Sequence, residues 1–232
     1  MTTHFDAPLL RRDTIAEHTV EVIFGVPDFA WGFTAGQYVT ITTHGLEHLD
    51  VRSQFRDFSI ASSPLQKGEF SVAFRVSQSP FKHVLLSCPI GAVFSIDGPK
   101  GVFTQPDEPD QPLNFIAGGI GITPFLSMLR FGTGMALSRR ITLYYFNHSM
   151  ESAAYLPELT QCAQTMPSFT LYHTVGHMTD AAIIQAVQES SANARWYIAG
   201  PPAMVAHAQM VLRTQNISDR LITSESFTGY TV

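Results

Sequence analysis

The pattern of apolar and polar positions divides the chain into two halves. In the first hundred residues, short runs of β-branched and aromatic residues alternate with segments that contain Gly and Pro, which is typical of antiparallel strands. Such spacing predicts a closed or nearly closed β-barrel with one short helix at Phe81–Ser87. The predicted strands are Thr19–Phe24, Tyr38–Thr43, Phe58–Ala61, Phe70–Val76 and Val93–Ile96.

The second half alternates strand patterns with helical patterns. Met204, Ala208 and Val211 have helical spacing, and Ile183, Ile184 and Val187 form a similar stripe. Alternation of this kind predicts a parallel sheet with helices on both sides, and ligands of such sheets bind at the carboxyl ends of the strands. The predicted strands are Leu113–Ala117, Ile141–Phe146, Phe169–His173 and Trp196–Ala199.

A polar, proline-rich stretch separates the halves. Residues 104–112 read TQPDEPDQP, which has the composition of a linker. We therefore predict a β-barrel domain at residues 1–105, a linker at 106–112 and an α/β domain at 113–232.

Composition excludes several classes of function. With 45% hydrophobic and 14% charged residues the chain is expected to fold, and a net charge of -5 without basic clusters argues against nucleic-acid binding. Cys88 and Cys162, the two cysteines, are too few for a disulfide framework or a four-thiolate iron–sulfur cluster. Residues 113–131 are nearly uncharged, but their glycines and Pro124 indicate a strand, a turn and a helix, so no membrane insertion is expected. The first twelve residues lack the apolar core of a signal peptide, which predicts a cytoplasmic location.

Two glycine-containing turns follow predicted strands. In the first, residues 115–124 (FIAGGIGITP), Thr123 and Pro124 suit the start of a helix, whose free amides would bind a pyrophosphate. In the second, residues 196–204 (WYIAGPPAM), a proline again begins a helix. Neither turn has the G-x-G-x-x-G spacing of the dinucleotide fingerprint, and a tight βα turn without a ligand remains an alternative.

A third motif, residues 56–64 (RDFSIASSP), lies in the barrel half. Arg56 and Phe58 alternate along a strand and therefore share a face, where a guanidinium and a ring can hold a phosphate and a planar ring system. Taken alone, the same residues also fit an ordinary amphipathic strand with one salt bridge.

The order and separation of these three motifs resemble the ferredoxin–NADP reductase superfamily. Residues 33–38 (FTAGQY) and 225–230 (ESFTGY) extend the resemblance to roughly residues 15–230. It implies an antiparallel FAD-binding barrel followed by a parallel-sheet NAD(P)-binding domain. The cofactors would be FAD and NADPH or NADH.

The resemblance also implies roles for individual residues. Arg56 would bind the FAD pyrophosphate, Phe58 would stack on the isoalloxazine, and Ser59 would lie near flavin N5, with Asp57 in the same segment. The catalytic residues would be Ser59, Glu225 and Phe227, the last two covering the flavin face that nicotinamide approaches. Further FAD contacts are expected from Phe74, Arg75, Val76, Ser79, Pro80, Phe81 and Lys82. Contacts to NAD(P) are expected from Gly119, Gly121, Thr123, His148, Gly200, Pro201 and Met204.

The chain departs from the family pattern at two positions. Ala199 stands where many members carry Cys before the Gly-Pro turn. His148 follows the second strand of the nucleotide domain, where members that select NADPH carry an arginine, and His177 is a second candidate at the same end of the sheet. Since neither imidazole has the bidentate fork of arginine, and no acidic residue at 147–149 favours NADH, we expect both coenzymes to be used.

Three functions remain open at this point. The favoured one is an FAD-dependent reductase that takes hydride from NAD(P)H and passes electrons to a separate ferredoxin- or flavodoxin-like carrier or an oxygenase. A flavin reductase that releases reduced flavin is the second, and an NAD(P)-sensing, partner-binding subunit without activity is the third. His44 and His48 are four residues apart but are expected in a solvated loop, so no metal site is predicted.

Overall fold

The computed structural model describes residues 3–27, 31–43, 51–135 and 139–227. Contacts between residues group the described chain into two compact units. The first comprises the described parts of Met1–Gln105 with Thr123–Gly134, and the second those of Pro106–Ile122 with Met135–Thr231. Each unit has its own sheet.

The first unit is built on a six-stranded antiparallel sheet. Its strands are β1 Thr3–Ala16, β2 Thr19–Gly25, β3 Tyr38–Thr42, β4 Phe55–Ser59, β5 Glu69–Arg75 and β6 Val93–Lys100. Its helices are α1 Val51–Gln54, α2 Pro80–Ser87 and α3 Thr123–Gly134.

The strand order β4-β3-β6-β1-β2-β5 closes on itself. Beyond β4, Ile60 forms an antiparallel bridge with Val72 of β5, and the Ala61 amide donates to the Ser71 carbonyl at 2.8 Å. The predicted antiparallel barrel is therefore confirmed. Inward-facing aromatic side chains fill it, with the Phe24 ring centroid 5.5 Å from the centroids of both Phe70 and Phe94.

The second unit is an α/β structure whose five strands are all parallel, in the order β11-β10-β7-β8-β9, which confirms the predicted sheet. Its strands are β7 Leu113–Gly118, β8 Ile141–Asn147, β9 Phe169–Val175, β10 Arg195–Gly200 and β11 Ile222–Ser226. Its helices are α4 Leu156–Thr165, α5 Asp180–Glu189 and α6 Pro202–Thr214. Short 3₁₀ turns lie at Gly119–Ile122 and Asp219–Leu221.

Helix α3 groups with the barrel, whereas the sequence-based division placed it in the α/β domain. The Ser127 hydroxyl donates to the Ser62 carbonyl at 2.7 Å, and Arg130 Nη1 donates to the Ala61 carbonyl at 3.0 Å. Both acceptors lie in the segment between β4 and β5, which explains the grouping.

The segment predicted as a linker is held firmly on the second unit. Arg139, whose residue surface is only 8% exposed, donates hydrogen bonds to the carbonyls of Pro106, Glu108 and Pro109. Residues 106–112 therefore belong to that unit, although their composition is that of a linker. Among the described residues, no helix combines the length and hydropathy that crossing a membrane requires.

Candidate functional site

In the first unit, a strand and a helix bring two predicted anion-binding groups together. Arg56 lies in β4, and Ser79 immediately precedes α2, which begins at Pro80. Arg56 Nη2 donates to Ser79 Oγ at 3.4 Å, while Arg56 Nη1 donates to the Phe55 carbonyl at 2.7 Å. The guanidinium is thereby held beside the first turn of α2, where the helix dipole favours an anion.

Lys82 adds a second positive charge to this place. Its residue surface is 8% exposed, its Nζ donates to the Arg75 carbonyl at 2.8 Å, and it lies 5.8 Å from the centroid of the Phe74 ring. Burial and, secondarily, the charge of Arg56 lower the pKa of Lys82 from 10.5 to about 8. A bound phosphate would offset both effects, because an adjacent negative charge favours the protonated lysine.

The Phe58 ring is largely buried and does not present an open face for stacking. Its ring centroid lies 5.8 Å from that of Phe74 and 5.9 Å from that of Phe81, and the residue is 8% exposed. Ser59 follows it in β4, opposite Tyr38 of β3, and is also buried. Any isoalloxazine contact of Phe58 would therefore use the small part of the ring that remains exposed.

The two remaining FAD candidates lie on exposed surface. Asp57 Oδ1 accepts a hydrogen bond from Thr40 Oγ1 at 2.6 Å, and its position in β4 directs it to the face opposite Arg56. Val76 is exposed after β5, with its amide bonded to the His18 carbonyl at 2.8 Å. The structure thus gathers Arg56, Ser79, Pro80, Lys82 and the Arg75 carbonyl but not Asp57.

In the second unit, the predicted glycine turns follow two adjacent strands and pack tightly together. A Cβ atom on Gly121 would lie 2.7 Å from the Gly200 Cα and closer still to the Ala199 carbonyl. Gly200 has φ +156, and a Cβ there would lie 3.0 Å from the Met204 Cε. A larger residue at either position would push the turns that follow β7 and β10 apart, so their close packing requires glycine.

The start of α3 differs from the predicted cap. The 3₁₀ turn Gly119–Ile122 precedes the helix, so Thr123 is its first residue rather than an N-cap, and Thr123 is 2% exposed. Gly119 has φ +53, which glycine adopts without strain, and Pro124 is the second residue of the helix.

Glu225 and Phe227 come from the last strand of the same sheet. Glu225 is opposite Ala199 in the parallel pairing of β11 with β10, and the Phe227 amide donates to the Gly200 carbonyl at 3.0 Å. Met204, half-buried in the first turn of α6, lies beside the same glycine, and Pro201 is exposed. The segment with Glu225 and Phe227 is thus attached to the second glycine turn, a contact between distant parts of the chain that no local motif predicts.

The other end of the carboxyl edge carries the histidines. His148 and His177 follow β8 and β9, and their ring centroids lie 5.6 Å apart in an edge-to-face arrangement. Next to them, Asn147 Nδ2 and His173 Nε2 lie 3.3 Å apart, and burial lowers the pKa of His173. The buried Asn147 Oδ1 has no hydrogen-bond partner within the part of the chain that the structure describes. The rings of the two histidines that are candidates for coenzyme selection are therefore in contact.

The remaining comparison with the sequence concerns a metal site and two arginines. His44 and His48 lie outside the described residues, and within the described ranges no cluster of His, Cys, Asp and Glu is suited to a metal ion. Sequence reasoning missed two arginines with clear structural roles, Arg139 and Arg12. Arg139 binds the carbonyls of the segment 106–112, Arg12 donates to main-chain carbonyls at the carboxyl end of α2, and no sequence motif predicts such contacts.

The donor set in the first unit fits a cofactor with a pyrophosphate. Two cationic side chains and the first turn of an eight-residue helix converge on one place, and an anion would relieve the cost of keeping Lys82 buried. The second unit offers a tight strand-to-helix turn at the carboxyl edge of a parallel sheet, which is the usual location of nucleotides in α/β folds.

Comparisons with known proteins agree with this arrangement. Residues 6–105 match the oxidoreductase FAD-binding domain family, and residues 115–210 match the oxidoreductase NAD-binding domain family. The reductase component of propane 2-monooxygenase from Rhodococcus jostii is 26% identical, over 85% of this chain and 56% of its own length. An NADPH oxidoreductase of Mycobacterium tuberculosis is 29% identical over 82% of this chain and 52% of its own length. The chain thus spans little more than half the length of these relatives.

Solved structures share the fold. The Amycolatopsis cytochrome P450 reductase GcoB superimposes with a TM-score of 0.84 at 23% identity, covering 98% of this chain and 71% of that one. The ferredoxin–NADP⁺ reductase of Plasmodium falciparum gives a TM-score of 0.80 at 16% identity, covering 97% and 96%. Together, the two matched domains, their order and the shared fold show that this chain belongs to the ferredoxin–NADP reductase superfamily, with an FAD-binding domain followed by an NAD-binding domain.

Proposed function

We propose that the protein is an NAD(P)H-dependent flavoprotein reductase that passes electrons to a separate acceptor protein. The observation that carries this proposal is the convergence of Arg56, Ser79 and Lys82 at the start of α2, because riboflavin, which lacks phosphate, would not need such a site. That convergence favours retained FAD over a flavin that enters and leaves as a substrate.

The chemistry would come from the cofactor, and the protein would supply binding and orientation. Bound FAD would supply the redox chemistry between NAD(P)H and the acceptor. Arg56 and the first turn of α2 would hold its pyrophosphate, and the Arg75 carbonyl would orient Lys82 toward the same phosphates. Ser59 would lie near the flavin ring, as the family pattern implies.

The second unit would bind the nicotinamide coenzyme. The turns at Gly119–Gly121 and Gly200–Met204 would receive its pyrophosphate and nicotinamide, with Thr123 at the helix start. Glu225 and Phe227, which Gly200 holds through the Phe227 amide, would exclude water from the reacting groups. His148 would contact the adenosine end.

The proposed acceptor is a carrier protein or an oxygenase. Relatives of this chain include the reductase component of propane 2-monooxygenase and the electron transfer component of a 2-halobenzoate 1,2-dioxygenase. Residues 1–105 contain 8 Lys and Arg against 10 Asp and Glu, so the barrel has no basic excess with which to attract an acidic partner. The cytoplasm remains the proposed location.

An absorbance spectrum of the purified protein, with mass spectrometry of the released flavin, tests the proposal. We expect a yellow protein with near-stoichiometric FAD that is bleached anaerobically by NADH or NADPH. Ultrafiltration of the bleached protein should retain the flavin. Flavin in the filtrate would indicate a flavin reductase, and FAD that no coenzyme bleaches would indicate the non-enzymatic alternative.

A further inference from the structure

Helix α2 is fastened at the end remote from the proposed phosphate site. Arg12, which is half-buried in β1, donates from Nε to the Leu85 carbonyl at 2.7 Å and from Nη2 to the Cys88 carbonyl at 2.8 Å. Nη2 also lies 3.4 Å from the Cys88 Sγ. The last carbonyls of a helix lack partners within the helix, and one guanidinium here binds two carbonyls at this end of α2.

The bonds from Arg12 add to the apolar packing that holds α2 in place. Phe81 and Leu85 are fully buried and set the rotation of α2 about its axis. Hydrogen bonds have defined lengths and angles, so the two from Arg12 fix the carboxyl end of α2 along its axis, while the bond from Lys82 Nζ to the Arg75 carbonyl ties its first turn to β5. Arg12 therefore contributes to the distance that the helix keeps from Arg56.

Because α2 is short, the position of its carboxyl end also sets the position of its first turn. Eight residues span about 12 Å, so a displacement at Leu85 moves Ser79 and Lys82 by the same amount. A cation at the carboxyl end also complements the helix dipole, whose opposite end attracts the anion.

We propose that Arg12 is a positioning residue for the FAD pyrophosphate: it holds the first turn of α2 at the correct distance from Arg56 without touching the cofactor. The inference rests on the proposed function, because it concerns the same phosphate site. It requires that loss of Arg12 weakens binding through the phosphates and leaves contacts with the flavin ring unchanged.

The chain offers a matched control in the neighbouring residue. Arg11 carries the same charge, but its side chain is 61% exposed and its Nε donates to Asp13 Oδ2 at 2.7 Å. Arg11→Met and Arg12→Met remove the same group from adjacent positions of β1, and Arg12→Lys keeps the charge without the guanidinium fork.

The experiment titrates apoprotein with FAD and with riboflavin, which lacks both phosphates, and follows flavin fluorescence. Arg12→Met should raise the Kd for FAD roughly tenfold and leave that for riboflavin within twofold of wild type. Arg12→Lys should raise the FAD Kd by a smaller factor, and Arg11→Met should change neither. If Arg12→Met does not fold, Arg12→Lys provides the same comparison.

Two results overturn the inference. Equal weakening of FAD and riboflavin would show that Arg12 supports the barrel only in a general way, and unchanged FAD binding in both Arg12 variants would show that α2 holds its place without it. A wrong proposed function would give a different result, because the wild-type apoprotein would then bind FAD no more tightly than riboflavin.

Discussion

Arg56 and Ser79, 23 residues apart in the chain, meet where β4 passes the start of α2, with Nη2 and Oγ 3.4 Å apart. This contact joins a strand and a helix whose sequences contain the two candidate phosphate-binding segments. Ser79 does not cap the helix with its own side chain, so its hydroxyl is used to receive the guanidinium. The protein's own contacts therefore hold the guanidinium beside the first turn of α2.

Replacing Arg56 should separate cofactor binding from folding. Arg56→Ala removes one cation from the phosphate site, and we expect the FAD content after purification to fall at least tenfold. Its bonds in the folded protein are one to the exposed Phe55 carbonyl and one long bond to Ser79, so the Tm of the apoprotein should change by no more than about 2 °C. Flavin absorbance per protein and thermal unfolding measure the two effects.

Arg213→Ala is the control for this experiment, since Arg213 is an exposed arginine in α6 whose Nε donates to Asp219. It should retain full FAD content. A comparable loss of stability and flavin in Arg56→Ala would assign Arg56 to the architecture of the barrel instead.

Element types were largely predictable because their patterns are local. Alternating apolar positions predicted the strands of the barrel, and the parallel sheet followed from strands that alternate with helices. Strand β1 escaped prediction because charged residues such as Arg11, Arg12 and Asp13 interrupt its pattern over fourteen residues. Arg11 and Asp13 pair with each other on β1, whereas Arg12 binds carbonyls at the carboxyl end of α2, and such tertiary contacts outweigh local preference.

Site residues were predictable only as motifs, since their contacts are distant in sequence. Nothing around Phe58 distinguishes a ring packed against Phe74 and Phe81 from one that faces solvent. Nor does the composition of residues 106–112 reveal that Arg139 binds three of their carbonyls. These features depend on which side chains the fold brings together.

The lowered pKa of Lys82 predicts two opposite pH trends. In the apoprotein this pKa is about 8, whereas in the unfolded chain it is near 10.5, so between these values the unfolded state binds more protons and apoprotein stability should rise with pH. Bound pyrophosphate favours the charged lysine, so FAD affinity should be nearly constant up to about pH 7 and should fall about 30-fold by about pH 9.5, which lies well above that pKa. Fluorescence titrations and chemical denaturation from pH 7 to 9.5 measure both.

Two variants isolate the lysine from other groups that titrate in this range. Lys82→Arg keeps its charge at every pH, so its FAD affinity should be high and nearly independent of pH. Lys82→Met has no charge at any pH, so its FAD affinity should be low and equally independent of pH. An unaltered pH dependence in either variant would assign the effect to another group.

Phe227 should control access of nicotinamide to the flavin. Phe227→Ala removes the ring but keeps the main-chain bond to Gly200, so the strand end should stay in place. Without a ring to displace, oxidised coenzyme should bind more tightly, and the reduced flavin should react faster with oxygen. Stopped-flow spectra of the charge-transfer complex and the rate of oxygen consumption measure these changes.

Substitution is preferable to truncation before Glu225, because truncation would also remove Glu225 and Ser226 from the pairing of β11 with β10. Phe227→Tyr keeps an aromatic ring and should behave as wild type. A charge-transfer complex of equal strength in Phe227→Ala and wild type would count against the gate.

Coenzyme choice should depend on the histidines at the ends of β8 and β9. His148 and His177 are exposed and their ring centroids lie 5.6 Å apart, so a 2′-phosphate bound there would contact both imidazoles. A ring N–H of each imidazole would donate a hydrogen bond to that phosphate. Loss of either imidazole should therefore lower the ratio of kcat/KM for NADPH to that for NADH about two- to fivefold, the scale of an exposed polar contact.

His148→Ala and His177→Ala should each lower this ratio, and the double variant should lower it further, whereas His4→Ala on the barrel should leave it unchanged. NADH kinetics serve as the internal reference, since the two coenzymes differ only in the 2′-phosphate. A ratio that stays at the wild-type value in the double variant would show that other residues make the selection.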